Sequence, residues 1–229
     1  MIPVAKPYIG EEEINAVVNV LKSGMIAQGP KVRELEEKFA KFCGTKYAVA
    51  VNSGTAALHS SLYVAGIKEK DEVITTPFTF IATANSILMQ QAKPVFADID
   101  EETFNINPKK IKEKITKKTK AIMTVDLYGQ LCNYGEIKKI AKGHNLVVVE
   151  DACQAVDAEF NGKKAGSYGD IAGFSFYATK NIACGEGGII TTDNEDYAEN
   201  AKLFRQHGRS KMTSYEYTNL GYNYRTTDI

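Results

Sequence analysis

The sequence predicts an α/β fold in which a mainly parallel central sheet is covered by helices on both faces. Short runs of β-branched residues alternate along the chain with segments whose apolar residues recur at helical spacing. Residues 146–149, Leu-Val-Val-Val, are apolar throughout, which is typical of a central strand buried on both faces. Because strands and helices alternate, we expect three layers, with most neighbouring strands parallel.

The individual elements follow from these patterns. In residues 11–22, for example, Ile14, Val17 and Leu21 share one helical face. The predicted helices cover residues 11–22, 32–42, 55–65, 82–90, 134–142 and 195–206. The predicted strands cover residues 47–51, 72–76, 94–97, 121–125, 146–149, 173–176 and 188–192. The lysine-rich residues 109–120 are interpreted as the solvated face of a further short helix.

Composition and charge restrict the classes of function. The chain has 229 residues, of which 44% are hydrophobic and 24% charged, as in a soluble globular protein with a sizeable core. The chain has 28 basic residues (lysine and arginine) and 28 acidic residues (aspartate and glutamate), so the formal net charge is zero. Neither a basic surface for nucleic acid nor an acidic tail is therefore expected.

The sequence contains no recognisable targeting signal or metal-binding pattern. Residues 1–7 lack the apolar core and cleavage pattern of a signal peptide, and no apolar run approaches the ~18 residues of a membrane span. We therefore expect a cytoplasmic protein with reduced thiols and no membrane partner. The cysteines and histidines are too scattered for a zinc site: Cys43, Cys132, Cys153, Cys184, His59, His144 and His207.

Ligands of parallel α/β sheets bind beyond the carboxyl ends of the strands. In the predicted fold, five segments reach that edge: residues 52–55, 76–80, 126–129, 150–154 and 175–180. Candidate functional residues are therefore expected in these segments.

Lys180 is a lone lysine after an apolar and aromatic run, and the glycine-rich residues 185–188 follow it closely. An amine at the end of a buried strand is partly desolvated, which disfavours its charged form. A neutral amine can attack a carbonyl group and hold it as a Schiff base. The alternative is a lysine at a strand end that points into water.

Ser53, Gly54 and Thr55 follow a predicted strand and open a helix. Glycine permits the close approach of an anion, and the first helical amides, the Thr55 hydroxyl and the helix dipole favour a phosphate monoester there. The alternative is an ordinary helix cap formed by Ser53 or Thr55. The segment is not a nucleotide-binding P-loop, because no Gly-Lys-Ser/Thr follows it.

Asp151 ends the central strand, where a buried carboxylate must be paired or become protonated. It can be a metal ligand, a general base, the partner of a buried cation or simply the N-cap of a following helix. Gln154 is three residues further on, so one helical turn would bring it to the same side. Phe80, just past another strand end, either stacks on a planar ring or belongs to the core.

A reactive lysine, a phosphate site, a strand-end aspartate and an aromatic platform together describe a pyridoxal phosphate site. This cofactor needs an amine for its aldehyde, donors for its phosphate and a carboxylate that keeps its ring nitrogen protonated. The order of these features along an α/β chain favours this cofactor over the separate alternatives.

On these and further motifs, the sequence resembles the DegT/DnrJ-type family of pyridoxal-phosphate-dependent sugar aminotransferases. The resemblance covers nearly the whole chain. Its motifs are Pro7-Tyr8-Ile9-Gly10, Ala27-Gln28-Gly29-Pro30, Asn52-Ser53-Gly54-Thr55-Ala56-Ala57-Leu58, Pro77-Phe78-Thr79-Phe80-Ile81-Ala82-Thr83-Ala84-Asn85, Leu127-Tyr128-Gly129-Gln130, Glu150-Asp151-Ala152, Lys180, Gly185-Glu186-Gly187-Gly188, His207-Gly208-Arg209 and Gly221-Tyr222-Asn223-Tyr224-Arg225.

The resemblance implies the large domain of a fold-type-I aminotransferase, formed by residues 1–229 with the N-terminal segment 1–30 included. It implies that Lys180 binds the aldehyde of the cofactor and that Asp151 contacts its ring nitrogen. Gln154 is expected at the ring hydroxyl and Phe80 on the ring face. The remaining implied residues bind phosphate: Gly54, Thr55 and Ser175 in the same chain, and Asn223 from the neighbouring subunit of a homodimer.

Family members move an amino group, usually from L-glutamate, to a keto carbon of a nucleotide-linked sugar, in the biosynthesis of amino sugars or cell-surface polysaccharides. One alternative is a pyridoxamine-dependent sugar dehydratase of the same family, in which the lysine is typically replaced. A second is an inactive or regulatory fragment, since family members continue beyond residue 229 into a smaller C-terminal domain. Asp126 also replaces a histidine that is common before Leu-Tyr-Gly, which would alter sugar specificity if that position contacts substrate.

Overall fold

The computed structural model describes residue 2, residues 5–210 and residues 215–229. Residues 1, 3 and 4 of the predicted N-terminal segment lie outside the described part. The helices are α1 (Glu11–Ser23), α2 (Pro30–Cys43), α3 (Gly54–Val64), α4 (Ala82–Met89), α5 (Pro108–Lys114), α6 (Tyr134–His144) and α7 (Glu195–Arg205), with a short 3₁₀ helix at Leu127–Gly129. The strands are β1 (Tyr47–Val51), β2 (Glu72–Thr75), β3 (Lys93–Phe96), β4 (Thr119–Val125), β5 (Val147–Asp151), β6 (Glu159–Phe160), β7 (Lys163–Lys164), β8 (Ile171–Ser175) and β9 (Gly188–Thr192).

Several helices begin at a polar side chain that accepts a hydrogen bond from their first turn. Ser53, Asn133 and Asn194 accept from backbone amides at the second or third positions of α3, α6 and α7. These bonds satisfy donors that the helix itself leaves free. At the other end, α2 stops at Gly44, which adopts the left-handed conformation with φ 73°.

The central sheet has the strand order β1-β9-β8-β5-β4-β2-β3. Strands β8, β5, β4, β2 and β3 pair in parallel, whereas β9 is antiparallel to both of its neighbours. The predicted mainly parallel sheet is confirmed. In this register Asp151, at the end of β5, pairs with Val125 on β4 and with Gly173 on β8, so the loops that follow these strands reach one edge of the sheet.

Helices cover both faces of the sheet, as predicted. One face carries α3, α4 and α7, with Leu58 and Ala201 among the buried residues. The other carries α2, α5 and α6, with Phe39 and Ile137 in its core clusters. The molecule therefore has three layers, and two apolar interfaces hold the central sheet between them.

The structure differs from the predicted elements, or adds to them, in several places. The lysine-rich residues 109–120 divide between α5, a turn and the start of β4. Strand β9 runs against its neighbours, because the connection from β8 is an irregular loop rather than a crossover helix. The small β6–β7 hairpin was not predicted, since its strands have only 2 residues each.

In the described part of the chain, no helix is long and apolar enough to cross a membrane. The same residues contain no group of three His, Cys, Asp or Glu side chains that could hold a metal ion. All four cysteines are free thiols: Cys43 and Cys132 are buried, Cys153 is half-buried and Cys184 is exposed.

Candidate active site

A cavity of about 350 Å³ opens where β1, β5 and β8 end. This volume falls in the usual range of small-ligand sites, roughly 300–1,000 Å³. All predicted site residues except Asn223 line it: Gly54, Thr55, Phe80, Asp151, Gln154, Ser175 and Lys180.

Asp151 is buried in the wall of this cavity, at the last position of β5. Its Oδ2 accepts a hydrogen bond of 2.7 Å from the Thr83 hydroxyl, and its Oδ1 accepts one of 3.2 Å from the Cys153 amide. Burial raises the pKa of the Asp151 carboxyl, while these bonds and the positive charge of Lys180 oppose that shift. The carboxylate is therefore poorly compensated by this chain alone and suits a cationic ligand atom.

Asp151 does not cap a helix. Residues 152–158 form turns, and the next regular element is the β6–β7 hairpin. The N-cap alternative is therefore wrong, and so is the helical turn that was expected to bring Gln154 alongside Asp151. Gln154 instead reaches the cavity from a turn closed by the Ala155 amide, which donates to the Ala152 carbonyl at 2.9 Å.

The N-terminus of α3 forms another side of the cavity. Ser53 has extended backbone angles and its Oγ accepts from the Ala56 amide at 3.0 Å, so Ser53 is the capping residue. Gly54 is buried where the helix meets β8: a Cβ on Gly54 would lie 2.7 Å from the Ser175 Cβ and 3.0 Å from Cys153 Sγ. The cap is thus compatible with anion binding, because Ser53 occupies only one of the free amides at this end.

Lys180 is half-buried in the loop 176–187 that joins β8 to β9. The Phe176 amide donates to the Gly187 carbonyl at 2.9 Å, and the Lys180 amide closes a turn on the Tyr177 carbonyl at 2.8 Å. These bonds fix the base of the loop and place Lys180 in the cavity lining together with Asp151. The alternative of a lysine that only points into water does not fit this position.

Gln154 and Phe80 approach the cavity in different ways. Gln154 Oε1 accepts from the Tyr128 amide at 3.0 Å, which leaves the Nε2 group as a hydrogen-bond donor. Phe80 is 68% exposed, so the alternative that it belongs to the core is wrong. An exposed ring at the edge of a cavity is available for stacking on a planar ligand.

Asn223 lies apart from these residues. Its side chain is exposed, and its carbonyl accepts from Asn52 Nδ2 at 3.3 Å. Within one chain it does not reach the cavity, so its expected contact with the phosphate of a neighbouring subunit stays a prediction.

Two further carboxylates next to the cavity have internal partners. Glu150 accepts from the backbone amides of Gly166, Tyr168 and Gly169. Asp126 is fully buried and accepts from the Cys132 amide at 2.9 Å and from the Tyr134 hydroxyl at 3.0 Å. Burial, followed by the charge of Glu150, raises the Asp126 pKa. Asp126 does not line the cavity, and its hydrogen bonds hold the 126–134 loop together.

The sequence did not identify several cavity residues. Thr83 binds Asp151 directly, Thr79 binds Thr83, and the Cys153 thiol lies between Asp151 and α3. The spacing of Thr79 and Thr83, four residues apart just before a predicted helix, was the available signal. Tyr177, Thr179 and Glu186 complete the loop side of the cavity.

Comparison with known proteins agrees with this geometry. The model of the DegT/DnrJ/EryC1/StrS aminotransferase family matches residues 7–229. The chain belongs to this family. It is 44% identical to GDP-perosamine synthase from Caulobacter vibrioides over 100% of this chain and 62% of that protein. The chain thus spans about 60% of the length of curated relatives that it matches.

Solved structures of the family have the same fold. PseC from Helicobacter pylori, an aminotransferase involved in the biosynthesis of pseudoaminic acid, superposes with a TM-score of 0.92 at 34% identity, covering 99% of this chain and 62% of that one. NtdA from Bacillus subtilis, solved with bound cofactor PMP, superposes with a TM-score of 0.89 at 35% identity, covering 96% of this chain and 51% of that one. The predicted fold-type-I architecture is confirmed, and aminotransferases of this family use pyridoxal phosphate.

The residues of the cavity fit such a cofactor. A poorly compensated buried carboxylate, an amine whose charge acts on it and a helix N-terminus line the same space. These are the partners that a protonated ring nitrogen, an aldehyde and a phosphate each require.

Proposed function

We propose that this chain forms the large, cofactor-binding domain of a pyridoxal-phosphate-dependent aminotransferase that acts on a nucleotide-linked keto sugar. The observation that carries the proposal is the meeting of the Lys180 amine, the buried Asp151 carboxylate and the N-terminus of α3 in one cavity. Membership of the aminotransferase family supports the reaction class. We propose L-glutamate as the amino donor.

We assign a role at the cofactor to each predicted residue. Pyridoxal phosphate, when bound, supplies an electron sink that stabilises negative charge on a carbon next to the amino nitrogen. Asp151 keeps the ring nitrogen protonated, because a buried carboxylate gains most from an opposing positive charge. Gln154 Nε2 donates to the ring hydroxyl, and Phe80 covers one face of the ring. Phosphate is bound by Gly54, Thr55 and Ser175.

Lys180 has two tasks in this proposal. Its Nζ would bind the aldehyde carbon of the cofactor. Once free, Nζ would be placed to take a proton from the α-carbon of the amino donor as a general base and to deliver it to the cofactor as a general acid. The half-buried position of Lys180 next to Asp151 supports both tasks.

The substrate and the assembly rest on relatives. GDP-perosamine synthases, by their name, make a nucleotide-linked sugar, and those of Caulobacter vibrioides and Escherichia coli O157:H7 are 44% and 40% identical to this chain. We propose a homodimer in which Asn223 of one subunit contacts the phosphate in the other. A pyridoxamine-dependent dehydratase is disfavoured, because Lys180 is present.

Borohydride reduction after incubation with pyridoxal phosphate tests the assignment of Lys180. Peptide mass mapping is expected to find a pyridoxyl group on Lys180. Lys180→Ala is expected to lose this adduct, the visible absorbance band and amino transfer together. Lys202→Ala, which removes an exposed lysine of α7 paired with Glu199, is the matched control and is expected to retain all three.

Two results would contradict the proposal. Full transaminase turnover by Lys180→Ala would remove the lysine from the mechanism. Absence of both adduct and absorbance band in the unmodified chain, even with added cofactor, would favour an inert fragment.

A further inference from the structure

Two threonine hydroxyls connect the cavity wall to Asp151. Thr83 Oγ1 lies 2.7 Å from Asp151 Oδ2, and Thr79 Oγ1 lies 2.7 Å from Thr83 Oγ1. Thr83 is fully buried, Thr79 is half-buried, and both line the cavity with Asp151. The resulting chain of hydrogen bonds runs from Thr79 through Thr83 to the carboxylate.

The turn that opens α4 builds this chain. The Thr83 amide donates to the Phe80 carbonyl at 3.1 Å, so Thr79, Phe80 and Thr83 belong to one turn at the cavity. Ser86, one turn further along α4, donates from its hydroxyl to the Thr83 carbonyl at 2.8 Å. The Thr83 backbone is therefore hydrogen-bonded through both its amide and its carbonyl, which fixes the point from which its side chain extends.

The chemistry of these groups determines which atom donates in each hydrogen bond. An ionised carboxylate only accepts hydrogen bonds, and a hydroxyl has a single proton to donate. Thr83 must therefore give its proton to Asp151, and Thr79 must give its proton to Thr83. If Asp151 were protonated on Oδ2, the bond between Asp151 and Thr83 would reverse, and the Thr83 proton would become free for Thr79 Oγ1. The direction of the Thr83–Asp151 bond thus depends on the charge of Asp151.

We infer that Thr83 is a positioning residue for Asp151 and that Thr79 is the second link of the same chain. With Thr83 on Oδ2 and the Cys153 amide on Oδ1, each carboxylate oxygen has one fixed donor and can still accept from a ligand in the cavity. Thr83 thereby fixes the rotamer of Asp151 and favours its ionised form.

The consequence for catalysis rests on the proposed function, in which Asp151 holds the ring nitrogen of the cofactor protonated. A carboxyl group that becomes neutral cannot do this. The titratable groups acting on Asp151 are the Lys180 amine, from the loop after β8, and the Cys153 thiol, from the turn after β5. The thiol is kept neutral by burial, which raises its pKa, so Lys180 is the charged group that works alongside Thr83.

The test follows the carboxyl carbon of Asp151 by ¹³C NMR across pH in the cofactor-free chain, with Asp151→Asn to assign the resonance. Thr83→Val keeps the side-chain shape and removes the donor, and we expect it to raise the titration midpoint by about one to two pH units. Thr83→Ser is expected to restore the midpoint. Thr79→Val is expected to give a smaller shift in the same direction. Ser61→Ala, which removes a buried hydroxyl of α3 that donates to the Ala57 carbonyl and contacts neither threonine, is the matched control and is expected to cause no shift.

An unchanged midpoint in Thr83→Val overturns the inference. If that variant does not fold, an unchanged midpoint in Thr79→Val overturns it instead. In the loaded protein, kcat of Thr83→Val is expected to fall about tenfold and to recover in Thr83→Ser. Because the NMR titration needs no cofactor, a midpoint shift without a pyridoxyl adduct on Lys180 would refute the proposed function alone. An adduct without a shift would refute this inference alone.

Discussion

Gly54 decides how closely α3 can approach the cavity. The backbone of this residue fills the space where the helix meets Ser175 of β8, and the Cys153 thiol lies on the same side. This close approach brings the first amides of α3 to the phosphate position proposed above. A side chain at position 54 would push the helix and β8 apart.

Gly54→Ala is therefore expected to weaken both the fold and the cofactor site. Its Cβ would lie 2.7 Å from the Ser175 Cβ, which real contacts do not tolerate without a backbone shift. We expect a loss of about 1–3 kcal/mol in the free energy of unfolding, measured by denaturant titration, and weaker binding of pyridoxal phosphate, measured by absorbance.

The control for this prediction is Gly143→Ala in α6, where an added Cβ meets nothing within 4 Å. It is expected to stabilise the chain by roughly 0.5–1 kcal/mol, because alanine loses less backbone entropy in a helix. Equal stability of Gly54→Ala and the unmodified chain would show that α3 can move away from β8 at little cost.

Residues whose chemistry is unusual for their position could be found from the sequence. Asp151 ends a strand and Lys180 follows the apolar run of another, and an ionisable group in either place is conspicuous in the sequence. Thr83 could not be found in this way, because a threonine near a helix start has many ordinary roles. Its importance depends on a partner 68 residues away, which only the folded chain reveals.

At the scale of elements, α2 is capped by a residue from the far end of the chain. Asp228 Oδ1 accepts from the Gly29 amide at 2.7 Å, and Oδ2 accepts from the Lys31 amide at 3.1 Å. Gly29 suits this position, because the Asp228 carboxylate occupies the space that a Cβ would need. The buried cap therefore ties residues 226–229 to the start of α2, and the acidic side chain also complements the helix dipole.

Asp228→Ala is expected to lower the free energy of unfolding by about 1–2 kcal/mol, since it leaves the first amides of α2 without an acceptor. Asp228→Asn retains one acceptor oxygen and is expected to lose less. Thermal unfolding of both variants measures the difference. The proposed cap has no energetic role if the alanine and asparagine variants both unfold at the temperature of the unmodified chain.

Local sequence patterns predicted most helices and strands, but not the direction of every strand in the sheet or every element boundary. Strands with β-branched runs and helices with apolar faces were found because each signal lies within a single segment. The antiparallel direction of β9 was missed, because direction depends on what connects two strands and loop 176–187 has no helical pattern. The division of residues 109–120 between a helix and a strand was missed. Lysines interleaved with isoleucines suit the surface of a helix and also the exposed start of a strand.

At the scale of the whole molecule, an aromatic cluster joins segments that are distant in sequence. His59 of α3 packs edge-on against Phe204 of α7, with 5.2 Å between ring centroids, and against Tyr222, with 5.3 Å. Its Nδ1 lies 2.9 Å from the Tyr224 hydroxyl. The Tyr224 backbone in turn accepts from the Asn52 amide at 2.9 Å, beside the cavity. The cluster therefore supports the position of the segment that carries Asn223.

This cluster makes the fold sensitive to acid. Burial lowers the pKa of His59 from 6.5 to about 4. Between pH 6.5 and about pH 4, His59 binds a proton in the unfolded chain but not in the folded chain. The contribution of His59 to stability is therefore complete above pH 6.5 and is lost progressively as the pH falls towards 4, by up to about 3 kcal/mol in total.

The pH dependence of unfolding tests this linkage. His59→Phe keeps an aromatic ring in the cluster and removes the titrating group, so its stability is expected to change less between pH 6.5 and pH 4 than that of the unmodified chain. Tyr224→Phe removes only the hydroxyl partner. Because burial rather than this hydrogen bond lowers the pKa, Tyr224→Phe is expected to keep the acid-dependent loss. Parallel stability curves for the unmodified chain and His59→Phe would mean that His59 takes up a proton without opening the cluster, and the link between the histidine and the segment around Asn223 would fail with it.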